Sequence, residues 1–471
     1  MIRTLPWLWL LLIVAQAGYT QNPQTSPDAI HFIKLGNTLR MVDKPQEAIS
    51  LLLRAVPLVQ NKDAYWEAVA YEHLGMAYND LENSLDAVRY YQKALDLYRK
   101  LNYTASEAAI RQLMDESAGK DYYAGIDIGS SGVKLAIFRT RFENGFFAKD
   151  IKAKPLAPNV TLVSGTAQSF DAGRAVLQTY MDSIRHYHIP NKRIYIAFSS
   201  GINEVLGKTP EKKRRLYDLM TKLLPNDSLR IDTTLNAARE AELFAIGALP
   251  RRVWPTTSCV DIGSGNTKGG YFDADRTFNP ISFPFGTKTL AALIDGKRPL
   301  DLDTYRQRAQ EAIQAITDTM IDPEMRVGHP GLQQRRTVGL GGGISWAMVA
   351  CLHPEKAGVT AVPITAGDVA QFKRLCLLDF QTLVNPDLSN ITDPVVRQQA
   401  EKDILNVRSQ FNEKQFIAGA LLLDAVYKAY TTGSVAKRFV FIRDSDIGWV
   451  TGKFLEDINR EYERKLVGSA R

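Results

Sequence analysis

Apolar positions in this chain follow a helical period first and a strand period later. After an apolar run from Leu5 to Val14 and a polar stretch from Gln21 to Asp28, they recur at helical spacing to about residue 118. From Tyr122 the period changes. The runs AGIDIG and VKLAIFRT predict two strands around a glycine turn, Ala172 to Tyr187 a helix, and RIYIAFSS a further strand. A helical stretch, NAAREAELFAIGAL, then runs into a second apolar strand at Cys259-Val260. That strand leads into Asp261-Ile262-Gly263-Ser264-Gly265-Asn266-Thr267-Lys268-Gly269-Gly270 and on to Tyr271-Phe272. Beyond it, a helix begins near Leu302, RTVGLGGGISWAMVA reads as strand, glycine turn and helix, and further helices fall within 366–429 with a break at 385–393. The strand RFVFIRD and a turn at Gly448 close the pattern. Strands alternating with helices in two halves, each opening on a hairpin, predict an α/β architecture built by duplication, with a cleft between the halves.

In the helical region Leu74, Gly75, Tyr78, Ala87, Tyr91 and Ala94 fall at the small and large positions of a tetratricopeptide repeat, and Leu35, Gly36, Ala48, Leu52 and Ala55 form an earlier, degenerate copy. Small residues let paired helices approach; large ones fill the groove. The segment resembles tetratricopeptide repeats, with Ala105 to Met114 as a cap or a docking helix. The resemblance implies either a surface for a protein partner or for self-association, or a packing arm.

At 471 residues the chain is too long for a single core and is expected to hold two or three domains. The expected divisions are a signal peptide at 1–17 and a linker at 18–28, then a helical domain at 29–118, a first α/β half at 122–253 and a second at 254–471 with a helical insertion at 366–412. Arg3, the apolar run and Ala15-Gln16-Ala17 have the order of a secretory signal, so the mature chain is expected to begin near Gly18 and to be secreted or periplasmic, with no membrane span after cleavage. The net charge of +7 is mild. The basic cluster Lys212-Lys213-Arg214-Arg215 lies in a segment of helical spacing and reads as a solvated face, so nucleic acid is not an expected partner. Three cysteines, Cys259, Cys351 and Cys376, are too few for a disulfide scaffold, and spacing does not say whether the last two pair.

The candidate chemistry lies in the two glycine turns. Gly129, Ser130, Ser131 and Gly132 in the first, and Gly263, Ser264, Gly265, Asn266 and Thr267 in the second, present backbone N–H and hydroxyl groups suited to phosphoryl oxygens. Each turn follows a strand-end aspartate, Asp127 or Asp261. Two such carboxylates brought face to face would suit a Mg²⁺ that keeps most of its waters.

From about 122 to 455 the chain resembles the exopolyphosphatase and guanosine pentaphosphate phosphohydrolase family, within the actin, sugar kinase and heat-shock ATPase superfamily. GIDIGSSGVK resembles that family's first phosphate loop, VDIGSGNTK its second, and Arg239-Glu240-Ala241-Glu242-Leu243 with Gly247 its catalytic helix. Ser282 to Gly286 resembles an S-x-P-x-G turn, and Val338 to Gly342 the later glycine motif, which adds Gly341 and Gly342 to the phosphate contacts. The resemblance implies two ribonuclease H-like halves, Mg²⁺, and Glu240 as the group that deprotonates water. Glu242, two residues on, is expected to face solvent.

The chain departs from the family at several points. Lys268 stands where the family has a glutamate and is expected to hold phosphate as a point charge. Ile202, Asn412 and Val450 stand where it has arginines. Two functions are therefore expected in turn. One is an exported phosphohydrolase that releases phosphate from polyphosphate or a related phosphoanhydride with Mg²⁺, its expected ligand being polyphosphate or a nucleotide-like polyanion. The other is a catalytically impaired phosphate-binding sensor or scaffold that engages a partner through the helical arm. A homodimer is compatible with either.

Overall fold

A computed structural model describes residues 25–118, 121–130, 132–143, 145–155, 159–225 and 228–468. The expected signal peptide, the first part of the linker and Ser131 lie outside them. Five helices open the described chain: α1 (Ser26–Met41), α2 (Pro45–Val59), α3 (Ala64–Asp80), α4 (Ser84–Lys100) and α5 (Thr104–Ala118). Asp63 and Asn83 start α3 and α4 by accepting backbone N–H bonds with their side chains. The small-to-large pairing read from the sequence is the packing observed. A Cβ on Gly36 would meet Leu52 at 2.7 Å, and one on Gly75 would meet the Tyr91 ring at 2.5 Å. Ala48, Leu52, Leu74, Ala87, Tyr91 and Ala94 are all buried in one core.

Among the described residues, eleven strands form two sheets. The first holds β1 (Tyr122–Gly129), β2 (Gly132–Glu143), β3 (Phe146–Ala153), β4 (Ile194–Phe198) and β5 (Ile231–Asp232), in the order β3-β2-β1-β4-β5. The second holds β6 (Thr257–Ile262), β7 (Thr267–Phe272), β8 (Phe278–Phe283), β9 (Thr337–Gly341), β10 (Ala361–Ile364) and β11 (Arg438–Ile442), in the order β10-β11-β9-β6-β7-β8. Without the extra edge strand β10, the second order repeats the first. In both, a meander leads through a central strand to two further strands, and β1–β4, β4–β5, β6–β9 and β9–β11 are parallel. That repetition is the duplication predicted from the two hairpins.

The chain divides into two compact units. One groups the chain up to Tyr122 with Arg139–Asp150 and the chain from Asp457; the other holds Tyr123–Phe138 and Ile151–Glu456. In the first, Phe142, Phe147 and Tyr462 pack edge to face and join the core of the helical repeats. In the second, helix Ala237–Ala248 crosses the start of the last helix, Gly448–Gly468, at glycines. A Cβ on Gly247 would lie 1.9 Å from Gly448 O, and one on Gly452 would lie 2.0 Å from Leu243 O. Only residues without side chains permit that approach. Trp449 and Val450 thereby enter one core with Ala136 and Ala197 of the first sheet and Cys259 of the second. Among the described residues no helix is long and apolar enough to cross a membrane, and all three cysteines are free and buried.

Candidate functional site

The hairpin β6–β7 fixes what faces the cleft. Its register opposes Ile262 to Thr267 and Asp261 to Lys268, so the aspartate and lysine are direct cross-strand neighbours on one face. Lys268 Nζ lies 2.9 Å from Asp261 Oδ2, 3.0 Å from Glu240 Oε1 and 3.4 Å from Asn266 Oδ1. Its side chain is 6% exposed, and those of Glu240 and Asp261 are 3% and 11% exposed. An ammonium has three N–H donors, and three protein oxygens take them. Burial alone would lower the Lys268 pKa, but Glu240 and Asp261 hold it well above the usual lysine value. The expected contact from Lys268 to phosphate is thus replaced by an internal ion-pair network.

The first hairpin repeats the arrangement. Lys134 Nζ lies 3.3 Å from Asp127 Oδ2. Sequence reading passed over this lysine, although the signal was there: each hairpin reads D-I-G-S-x-x-x-K, with seven residues from Asp127 to Lys134 and seven from Asp261 to Lys268. Burial pushes the Asp127 pKa up to about 6, against the pull of Lys134.

Glu240 comes from the first turn of helix Ala237–Ala248, which Asn236 caps by accepting from Arg239 N at 2.8 Å. Its second oxygen accepts the N–H of Ser200, at 2.6 Å, at the start of helix Ser200–Gly207. Both carboxylate oxygens are therefore engaged. Glu242 points elsewhere and pairs with Arg239 at 2.6 Å, and Arg239 also bonds Glu456. The halves lock where the loops meet. Asn266 Nδ2 donates to Ser200 Oγ at 2.8 Å, and a Cβ on Gly265 would come within 2.5 Å of Ser130 Oγ.

These groups wall a cavity of about 670 Å³. Asp127, Gly129, Ser130, Gly132, Glu240, Asp261, Gly263, Ser264, Gly265, Asn266, Lys268 and Gly342 all line it, so the fold gathers most of the predicted residues at one place. Thr267 and Gly341 are not among the lining residues. The Thr267 hydroxyl is buried and donates to Phe285 O at 2.9 Å, while Gly341 lies in β9 against Phe244 and Ser445. Both are engaged in the framework behind the cavity wall.

The departures at the arginine positions also have physical accounts. Ile202 is fully buried, Val450 packs on Gly125, and Asn412 caps helix Glu413–Thr431 through a capping box with Gln415. Cationic lining comes from Lys134, Lys154, Lys268, Lys402 and Arg443, against Asp127, Glu240, Asp261, Asp403, Asp444 and Asp446. Lys154 bonds Asp444 and Asp446 at 2.8 and 2.5 Å, and Arg443 bonds Asp403 at 2.8 Å. Trp346, Phe411 and Trp449 supply an aromatic part of the wall.

The expected Mg²⁺ does not fit this donor set. Among the described residues no group of three or more His, Cys, Asp or Glu is disposed to hold a metal ion. Asp127 Oδ1 and Asp261 Oδ1 are buried without a hydrogen-bond partner, but the other oxygen of each aspartate already carries an ammonium. A dication and an ammonium about 4 Å apart repel by roughly 8 kcal/mol at an effective dielectric constant of about 20. That repulsion offsets much of the attraction the two aspartates would offer the ion, since each is already paired with an ammonium.

Two duplicated sheets with paired glycine turns facing a shared cleft define an actin-like α/β protein carrying a helical-repeat unit. Residues 28–100 match the tetratricopeptide repeat family. The α/β part has the fold of an exopolyphosphatase from Cytophaga hutchinsonii, which aligns at a TM-score of 0.52 and 14% identity over 72% of this chain and 98% of that one. A Ppx/GppA family member from Aquifex aeolicus aligns at 0.45 and 16% identity over 72% and 98% of the two chains. No curated protein matches the sequence.

Proposed function

We propose that the cleft binds a compact phosphorylated ligand without turning it over, and that the helical repeats engage a protein partner outside the cytoplasm. The observation that carries this reading is Glu240. As the base of an exopolyphosphatase-type hydrolase it would need a free, solvent-reachable lone pair next to the attacking water. Here each of its oxygens already accepts one hydrogen bond, from Lys268 and from the Ser200 N–H, and the residue is 2% exposed, which leaves little room for an attacking water beside it. Hydrolysis of polyphosphate, the function first expected, is disfavoured on the same ground.

The balance of charge argues for a compact ligand. Acidic and basic lining groups nearly cancel, so a long polyphosphate would meet no net positive field, whereas one phosphoryl group on the loop N–H donors needs none. The aromatic wall suits an apolar body attached to that group.

The test combines phosphate release with thermal shift on the chain starting near Gly18, using long-chain polyphosphate, inorganic phosphate and a set of phosphate monoesters. The expected result is stabilisation by a monoester at millimolar concentration, with phosphate release no faster than from Glu240→Gln protein. Release that is lost in Glu240→Gln would establish the hydrolase and refute the binding reading.

A further inference from the structure

The paired D-I-G-S-x-x-x-K hairpins place an ammonium against each strand-end aspartate, where a phosphoryl-handling cleft would otherwise require a divalent ion to offset two facing carboxylates. We infer that Lys268 is the resident cation of this site, so that the cleft is built to work without a divalent metal. The inference rests on the cleft being a ligand site but not on the identity of its ligand.

Three observations carry it. Lys268 reaches two carboxylates that belong to different elements, Glu240 on a helix and Asp261 on β6, and so bridges them as a metal ion would. Its remaining N–H is held by Asn266, whose own amide is anchored on Ser200 across the cleft, so the ammonium is positioned from both halves. The strand register leaves no alternative placement, because sliding β7 by one residue would turn Lys268 to the opposite face of the sheet.

The closing experiment reads metal directly, apart from any phosphorylated ligand. Mn²⁺ binding to the purified full chain is followed by loss of the free-ion electron paramagnetic resonance signal, for wild type, Asp261→Asn, Lys268→Gln and Lys268→Gln/Asp261→Asn, with circular dichroism as the check on folding. Wild type is expected to bind no Mn²⁺ that Asp261→Asn removes, and folded Lys268→Gln to bind one ion at least tenfold more tightly, a gain lost in the double variant. Wild-type binding of one ion that Asp261→Asn abolishes would overturn the inference, as would a folded Lys268→Gln that gains nothing. If Lys268→Gln does not fold, the wild-type and Asp261→Asn pair decides alone. Failure of every phosphorylated probe to bind would refute the proposed function and leave the metal result standing.

Discussion

Replacing Lys268 with methionine keeps most of the volume of the side-chain stem and removes only the charge, so the variant isolates the ion-pair network. The ammonium is buried between Glu240 at 3.0 Å and Asp261 at 2.9 Å. Breaking a buried pair from one side typically costs about 3–5 kcal/mol, because the remaining charge stays buried without compensation. Here two carboxylates are stranded, which puts the expected loss at the upper end, roughly 5 kcal/mol, or a factor of more than 10³ in the folding equilibrium at about 1.4 kcal/mol per tenfold.

The pH dependence has a definite sign. The pKa of Lys268 is raised, so the wild-type contribution is complete below the unfolded lysine value and constant between pH 5 and 9. Urea unfolding at pH 7.5, followed by tryptophan fluorescence, reads out the deficit. Trp254, Trp346 and Trp449 all lie in the unit that contains the network. A deficit under about 1 kcal/mol would refute the reasoning.

Two further outcomes are expected. Gly265→Ala should destabilise by about 1–3 kcal/mol, because its Cβ would fall 2.5 Å from Ser130 Oγ, and adding Ser130→Gly should recover most of the loss; no recovery in thermal or urea unfolding would show that the two loops are not in contact. Burial lowers His73 on α3 to about 4, so the neutral ring favours folding above pH 6.5 and that stability is lost as the pH falls toward 4; roughly 2–3 kcal/mol should disappear between pH 7 and 4.5 in wild type but not in His73→Gln, measured by urea unfolding of the full chain.

Much of the fold was legible because it rests on local periodicity and on glycine. The helical repeats follow from Gly36 facing Leu52 and Gly75 facing Tyr91, sixteen positions on in each case. The duplicated sheets follow from two hairpins with the same residue order. The ion pair of Asp261 and Lys268 was also within reach. Once the turn is placed at 263–266, antiparallel register opposes these two residues without further information.

What sequence alone determined, then, were the elements, the duplication and the residues brought to the cleft, since each depends on spacing along one segment. Only the tertiary structure decided what those residues do there. Glu240 and Lys268 are 28 positions apart on different elements, and their contact depends on how helix Ala237–Ala248 settles on the last helix through Gly247, Gly448 and Gly452. The same packing buries Val450 where the resembled family would place an arginine and leaves Thr267 and Gly341 in the framework. A lysine expected to meet phosphate becomes a counter-ion for physical reasons. Its charge is buried among carboxylates at hydrogen-bond distance, and such a charge is stable only when fully paired.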